Sequence, residues 1–283
     1  MSALTVAALG DIHSNAVAFR RCLEAVEAAG ATVILFMGDY LTDCACPQDT
    51  MALIRRCMEK YDCRFVRGNR EQYLLDHRAG KGGGWQPGTG GGSLLYTYRR
   101  LTDADLDFFA AMPAVRREVF DDLPAILCCH GAPDDLRGWM ENEPQRAQAH
   151  LDEAEAGLLV CAHTHRPGVY PLARGLMVNT GSVGVSTVPG LIQFALLHGE
   201  GGAWRPELVS IPYDVEPVIA AFSRDGFLDE AGLWPVMMMK QLRQGGEQAL
   251  PFVARAHELW QGEGTPPERV WAQAARETGI LES

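Results

Sequence analysis

Seven side chains of the kinds that bind metal ions stand at the ends of short apolar segments: Asp11, His13, Asp39, Asn69, His130, His163 and His165. A lone histidine in such a place is more often a hydrogen-bonded structural group than a ligand. Seven together are different, because burying two carboxylates and four imidazoles side by side without cations would cost several kcal/mol for each group. The set therefore predicts a centre in which metal ions balance the charge.

The spacing of these side chains suits metal binding. Asp11 and His13 are two residues apart, so an extended backbone directs both toward one ion. His163 and His165 have the same spacing and could serve one ion each if the loop turns between them. Asp39 has two oxygens and can bridge two ions. A mixed nitrogen and oxygen set without thiolates favours Mn, Fe or Zn over Ca or a soft metal.

Short segments rich in β-branched and aliphatic residues must position this centre. They are residues 4–9, 32–37, 63–66, 125–129 and 157–161. Such runs are typical of strands buried in a sheet. Helical patterns such as 15–29 lie between the early ones, and further strands are predicted within 176–197. The alternation of strand and helix predicts an α/β fold, in which ligands gather at the carboxyl ends of the strands.

An excursion over 76–115 departs from this alternation. It holds eight glycines within 80–92, but no Gly-Lys-Ser/Thr follows, so it is not a phosphate-binding P-loop. Two interpretations are open. The segment is either a flexible surface loop or a lid whose Trp85 or Tyr96 stacks on a substrate base.

The composition changes after Pro212, and the pattern becomes helical. We therefore expect a catalytic domain over 1–212 and a helical extension over 213–283. Three consecutive methionines at 237–239 are interpreted as core residues rather than a soft-metal site. The extension could close over the core or form a contact in a homo-oligomer, and the sequence does not choose between these.

The 283-residue chain is 47% hydrophobic and 22% charged, with a formal net charge of −11. These proportions are typical of a globular protein, and the acidic balance argues against binding duplex nucleic acid or anionic lipid. No apolar run approaches the ~18 residues of a membrane span, and the start does not resemble a secretion signal. We therefore expect no membrane partner, a cytoplasmic location and eight reduced cysteines. Cys44 and Cys46 could be half of a zinc site, but no second pair follows at finger spacing.

The polar motifs occur in an order that resembles a known family. They are residues 10–15 (GDIHSN), 38–39 (GD), 68–71 (GNRE), 130–131 (HG) and 162–165 (AHTH). This order resembles the calcineurin-like metallophosphoesterase superfamily, and residues 179–182 (NTGS) resemble its YfcE-like phosphodiesterase branch. The likeness spans about residues 4–197. It implies an α/β fold, a layered α/β/β/α sandwich, followed by a helical C-terminal extension.

The resemblance also implies a role for each matching residue. Two divalent ions would be held, the first by Asp11, His13 and His165 and the second by Asn69, His130 and His163, with Asp39 bridging them. A hydroxide between the ions would attack phosphorus in line. With Asp11 and Asp39 ionised, the two ions would leave the site with a charge of about +2, which would attract phosphate to an acidic protein. Mn is the preferred metal, with Fe or Zn also possible.

The groups expected to act on the substrate are Asp39, Asn69, Arg70 and His130 as catalytic residues, and Asn15, Arg70 and Trp85 as substrate contacts. Members of the family often have a histidine where this chain has Arg70. An arginine can clamp phosphate oxygens but cannot supply a proton at neutral pH. Activated esters and phosphoanhydrides should therefore be easier substrates than esters with poor leaving groups.

The leading prediction is a dinuclear metal-dependent phosphohydrolase that cleaves phosphodiester or phosphoanhydride bonds in a small phosphorylated, nucleotide-like substrate. One alternative is a hydrolase of dinucleoside polyphosphates such as diadenosine tetraphosphate. A protein phosphatase is a second, disfavoured by Arg70. A metal-dependent binding protein without turnover is a third, disfavoured because no ligand is missing. A DNA repair nuclease is disfavoured further because the charge pattern contains no basic groove.

Overall fold

The computed structural model describes residues 4–81 and 83–281, and within them the strands form two mixed sheets of five. The strands in the first sheet are β1 (Leu4–Leu9), β2 (Val33–Phe36), β3 (Asp62–Phe65), β9 (Leu191–Glu200) and β10 (Ala203–Pro212). Those in the second are β4 (Val115–Glu118), β5 (Ile126–Cys129), β6 (Leu158–Cys161), β7 (Gly168–Pro171) and β8 (Leu176–Asn179).

Each sheet contains three parallel strands. The strand order is β10-β9-β1-β2-β3 in the first sheet and β4-β5-β6-β8-β7 in the second. In the first, β1, β2 and β3 are parallel, with Leu9 opposite Phe36. In the second, β5, β6 and β8 are parallel, with Cys161 opposite Asn179. The remaining strands pair antiparallel at the edges of these groups.

Strand β1 shows how the layers form. Alternate side chains of a strand point to opposite faces, so Val6 and Ala8 join the core between the two sheets while Ala7 and Leu9 pack beneath helices. Both faces are covered, which explains the unbroken apolar sequence of this strand.

Helices cover the outer face of each sheet. They are α1 (Ala16–Ala28), α2 (Pro47–Lys60), α3 (Asn69–Arg78), α5 (Asp103–Ala111) and α6 (Pro144–Glu153), whereas α4 (Gly92–Tyr98) packs against the C-terminal helices. Phe19 of α1, Ile54 of α2 and Phe109 of α5 pack on the first sheet, and Leu151 of α6 packs on the second. The α/β/β/α layering predicted from the sequence is confirmed.

The C-terminal extension is helical, as predicted. Its helices are α7 (Glu216–Arg224), α8 (Phe227–Ala231), α9 (Leu233–Gln244), α10 (Ala249–Leu259) and α11 (Glu268–Glu277). They share one hydrophobic cluster, in which Met237 and Met238 are buried core residues. The cluster also takes in Cys44 and Val185 from loops that follow β2 and β8. The division at residue 212 stays a prediction, and the packing shows that the extension rests on the rim of the sandwich.

The excursion is anchored beneath this extension. Helix α4 packs against α8 and α9, and the Tyr96 hydroxyl donates to the carbonyl oxygens of Ala45 and Asp225. Tyr96 is only 1% exposed, so its ring is a core group rather than a surface on which a base could stack.

No helix within residues 4–81 and 83–281 combines the length and the apolar character needed to cross a bilayer.

Candidate metal centre

The ends of the strands bring all seven predicted metal ligands together. Asp11 and His13 follow β1, Asp39 follows β2, Asn69 begins α3 after β3, His130 follows β5, and His163 and His165 follow β6. Five of them are buried, and His163 and His165 are half-buried. The loops at the carboxyl ends of both sheets therefore converge on one place.

The ligand atoms form two groups of three, within each of which the atoms lie no more than 4.8 Å apart: Asp11, His13 and His165, and Asp39, His130 and His163. In the first group, Nε2 of His165 lies 3.3 Å from Oδ1 of Asp11 and 3.2 Å from Nε2 of His13. These distances leave the three atoms facing one small space.

Asp39 belongs to the second group and also faces the first. Its Oδ1 is 3.4 Å from Nε2 of His130, and its Oδ2 is 4.0 Å from Nε2 of His13. One carboxylate oxygen is therefore turned toward each group. Asn69 joins the second group, because its Oδ1 lies 3.1 Å from Nε2 of His130.

The backbone around the centre is held in an unusual conformation. Asp11, His13, Asp39, His163 and His165 all have φ between 51° and 68°, in the left-handed region that non-glycine residues rarely adopt. Such conformations persist only where the surroundings enforce them, and they cluster at functional sites. Here they turn each ligand inward directly after its strand ends.

Three histidines are oriented through the ring nitrogen that points away from the centre. Nδ1 of His130 lies 2.7 Å from the Met37 carbonyl oxygen, and Nδ1 of His165 lies 2.6 Å from that of Val185. Nδ1 of His13 lies 3.0 Å from Oδ2 of Asp43, an ion-pair contact that lacks the geometry of a hydrogen bond. Partners on this side of the ring leave Nε2 free for a metal, as is usual around metal-bound histidine.

Glu71 fixes the loop that carries Asp39. Its fully buried carboxylate accepts hydrogen bonds from the backbone N–H groups of Asp39, Tyr40 and Gly68. Burial, aided by the negative charge of Asp39, raises the pKa of Glu71 to about 7. A Cβ atom at Gly68 would lie 2.3 Å from Oδ1 of Asp39, so only glycine fits there.

The electrostatics of the centre favour positive charge. Burial opposes ionisation of both carboxyls, but positive charge on His165 holds the pKa of Asp11 well below its usual range, and His130 lowers that of Asp39. Burial likewise opposes protonation of the imidazoles, yet Asp43 and Asp11 raise the pKa of His13 to about 10. Asp39 raises the pKa of His130 to about 9. Because protons and metal ions compete for the same ring nitrogens, these shifts describe a site that stabilises cations.

The residues present fit a pair of divalent ions. Oδ1 of Asp11 is buried and has no hydrogen-bond partner among the described residues, although Nε2 of His165, His13 and His130 surround it at 3.3, 3.7 and 4.0 Å. A buried carboxylate oxygen without a donor is costly, and a cation shared with the imidazoles removes that cost. Carboxylate, imidazole and amide ligands suit Mn, Fe or Zn.

A pocket of ≈ 170 Å³ opens over the centre. Arg70 lies on its floor, and Trp139 forms part of one wall. The C-terminal extension supplies another wall through Met238 of α9 and Leu250 of α10. The extension therefore closes over the core, and a contact of the extension in a homo-oligomer stays a prediction.

The structure places the three predicted substrate contacts differently. Arg70 lines the pocket, and its Nη2 donates to Oδ2 of Asp43 at 3.0 Å. Asn15 caps α1 through a hydrogen bond from the Ala18 N–H and donates to the Gly184 carbonyl. Its side chain is therefore committed to the fold, which corrects the expectation of a substrate contact.

Trp85 is also placed elsewhere. Its ring stacks on His77 with centroids 4.2 Å apart and lines a separate surface pocket with Tyr73 and Lys81. This position corrects the prediction that a substrate base stacks on Trp85. The prediction failed because a glycine-rich sequence does not reveal where its segment packs. Trp139, Asp43 and the α9–α10 region belong to the site and were not predicted.

Comparisons with known proteins agree with this geometry. The sequence model of the calcineurin-like phosphoesterase superfamily domain matches residues 4–202. The fold is similar to that of the hypothetical protein PH1004 from Pyrococcus horikoshii OT3, with a TM-score of 0.71 and 17% identity over 86% of this chain and 100% of the other. A metallophosphoesterase from Sphaerobacter thermophilus has a TM-score of 0.59 and 18% identity over 85% and 100% of the two chains. Proteins with curated descriptions yield no match.

The family match covers well over half of the chain, and it spans the strands and loops that carry all seven predicted metal ligands. The chain belongs to the calcineurin-like phosphoesterase superfamily and is a metallophosphoesterase.

Proposed function

We propose that this chain is a dinuclear metal-dependent phosphohydrolase that cleaves phosphodiester or phosphoanhydride bonds in a small, nucleotide-like substrate. The observation that carries the proposal is the pair of buried ligand groups with Asp39 between them. Two separate groups joined by one carboxylate suit two ions that act on a single phosphate.

The residues divide between two ions. Asp11, His13 and His165 would hold the first, Asn69, His130 and His163 the second, and Asp39 would contact both. When bound, such ions lower the pKa of water and neutralise charge on phosphate oxygens. We propose Mn for both positions, with Fe or Zn as substitutes, and the eight free cysteines support a reducing compartment such as the cytoplasm.

Arg70 would orient the phosphate. Its side chain reaches the pocket floor, and Nε is buried without a hydrogen-bond partner among the described residues. The pKa of Arg70 is raised because the attraction of Asp43 and Asp39 outweighs burial, so the guanidinium stays charged and cannot donate a proton to a leaving group. This supports diesters with good leaving groups and phosphoanhydrides as substrates.

Part of the pocket lining is apolar. Trp139, Met238 and Leu250 contribute it beside the charged groups, a combination suited to a phosphate carrying one small organic group such as a nucleoside. The volume of ≈ 170 Å³ is below the roughly 300–1,000 Å³ of most ligand pockets. Diadenosine tetraphosphate, with two nucleosides, therefore ranks below a smaller substrate. Dephosphorylation of proteins and metal-dependent binding without turnover rank lower still. Arg70 cannot act as an acid, and all seven predicted ligands lie close together.

The test uses metal-stripped protein reloaded with Mn²⁺. Hydrolysis of bis-p-nitrophenyl phosphate, p-nitrophenyl phosphate and diadenosine tetraphosphate is measured beside an Asp39→Asn control. We expect Mn²⁺-dependent cleavage, fastest with the diester or the anhydride, and a loss of at least about 100-fold in the control. Absence of turnover with all three compounds, in protein that binds two ions per chain, would favour a metal-dependent binding protein.

A further inference from the structure

The carboxylate of Asp43 lies where four segments of the chain meet. Asp43 is 3% exposed and stands in the loop after β2, four residues beyond Asp39. It is not one of the metal ligands. Its position nevertheless places it between the metal centre on one side and the appended helices on the other.

One carboxylate oxygen faces the metal centre. Oδ2 lies 3.0 Å from Nδ1 of His13, whose Nε2 belongs to the first ligand group. The same oxygen lies 3.0 Å from Nη2 of Arg70. A single atom of Asp43 thus forms an ion-pair contact with one predicted metal ligand and accepts a hydrogen bond from the guanidinium on the pocket floor.

The other oxygen faces the appended helices. The indole N–H of Trp234, in α9, donates to Oδ1 at 2.9 Å. The backbone N–H of Asp43 donates to Oγ of Ser93, in α4, at 2.7 Å, and that hydroxyl lies 3.5 Å from Oδ1. The C-terminal extension and the excursion both reach the carboxylate in this way.

The contacts of the two carboxylate oxygens of Asp43 depend on each other. A buried carboxylate needs donors on both oxygens, and loss of one donor favours rotation toward another. The ring of Trp234 also lies 5.8 Å from the Arg70 guanidinium, so the same residue lies beside one of the two partners of Oδ2. Removing its N–H would release the orientation of His13.

We propose that Trp234 and Asp43 are positioning residues through which the C-terminal helices complete the first metal site. This inference rests on the proposed function because it takes His13 as a metal ligand. The helical extension then has two roles, since it forms a pocket wall and also sets the geometry of one of the two ion sites.

The experiment is a titration of metal-stripped full-length protein with Mn²⁺, followed by the electron paramagnetic resonance signal of the free ion. Trp234→Phe removes the N–H and keeps most of the ring. Trp271→Phe is the matched control, because this indole is also buried in the extension and donates to the Pro266 carbonyl at 2.9 Å, away from the metal centre. Urea unfolding of both variants compares their stability.

We expect Trp234→Phe to weaken one of the two Mn²⁺ sites by roughly tenfold, as loss of an outer partner of a ligand does, while the other site changes less than about twofold. Asp43→Asn should weaken the same site at least as much. Trp271→Phe should leave both affinities intact. If Trp234→Phe does not fold, Ser93→Ala is titrated in its place, with the same site expected to weaken.

Equal weakening of both sites, or the same effect from Trp271→Phe at matched stability, would overturn the inference, as would unchanged affinities in Trp234→Phe. The readout is separate from turnover. A protein that binds two ions and hydrolyses nothing would contradict the proposed function, and the titration would still decide the role of Trp234.

Discussion

Arg70 sets the limits of the chemistry at the scale of single residues. It occupies the first turn of α3 directly after Asn69, and the buried carboxylate of Asp43 holds its guanidinium. Within the pocket it can bind phosphate oxygens in two-point fashion. It cannot protonate a departing alkoxide, so the leaving group must carry its own negative charge.

This predicts a strong dependence on the leaving group. Bis-p-nitrophenyl phosphate should be hydrolysed about 100-fold or more faster than diphenyl phosphate, because general acid catalysis of the usual size, roughly 10²–10⁴, is missing. Arg70→Lys is the control. It keeps a positive charge but loses the planar pair of donors, so both rates should fall while their ratio stays the same. Similar rates for the two esters in the parent protein would indicate a proton donor elsewhere in the pocket.

At the scale of elements, the sequence predicts those site residues whose role is visible from their immediate neighbours in the chain. Asp11 directly follows β1 and Asp39 comes shortly after β2, so an apolar run followed by a polar cluster was sufficient to identify them. Asp43 could not be found that way, because its partner Trp234 is 191 residues away. The role of Glu71 likewise depends on a loop 32 residues earlier. Such roles become visible only when the packing of distant segments is known.

The turn between α9 and α10 is the element that fixes one pocket wall. Gly245 and Gly246 have φ of 70° and 75°, and Gly246 N–H donates to the Thr187 carbonyl at 2.8 Å. A Cβ at Gly245 would lie 2.6 Å from that same carbonyl oxygen, whereas at Gly246 its nearest neighbour would be a flexible glutamine side chain at 3.3 Å. The two glycines thus share backbone strain but differ in the space around them.

Alanine substitutions at Gly245 and Gly246 should therefore distinguish the effect of displacing the turn from the effect of backbone strain. Both Gly245→Ala and Gly246→Ala should lower the free energy of unfolding by about 1–3 kcal/mol through the positive φ. Only Gly245→Ala should also displace the turn, raising KM by about fivefold, equivalent to about 1 kcal/mol of lost contact, with a smaller change in kcat. The measurements are urea denaturation and steady-state kinetics with bis-p-nitrophenyl phosphate. Equal KM values for the two variants would contradict a wall held by the docked turn.

At the scale of the whole molecule, the metal centre joins segments that are far apart in the sequence. The chain has a net charge of −11, and Asp11, Asp39, Asp43 and Glu71 are all buried close together. Cations at this point would reduce the repulsion among them and tie loops from both sheets to one site. The stability of the whole protein should therefore depend on the metal.

We expect chelation to lower the melting temperature, and Mn²⁺ to restore it in a concentration-dependent way. At a free Mn²⁺ concentration 100 times Kd, each site contributes about 2.7 kcal/mol, and two sites together should raise Tm by roughly 10 °C or more. Differential scanning calorimetry across a series of Mn²⁺ concentrations measures this. In Asp39→Asn, the rise of the melting temperature with Mn²⁺ should be much smaller than in the parent protein. A melting temperature that does not respond to Mn²⁺ in the parent protein would mean that the buried ligands are satisfied without the ions, and the two-ion assignment would fail.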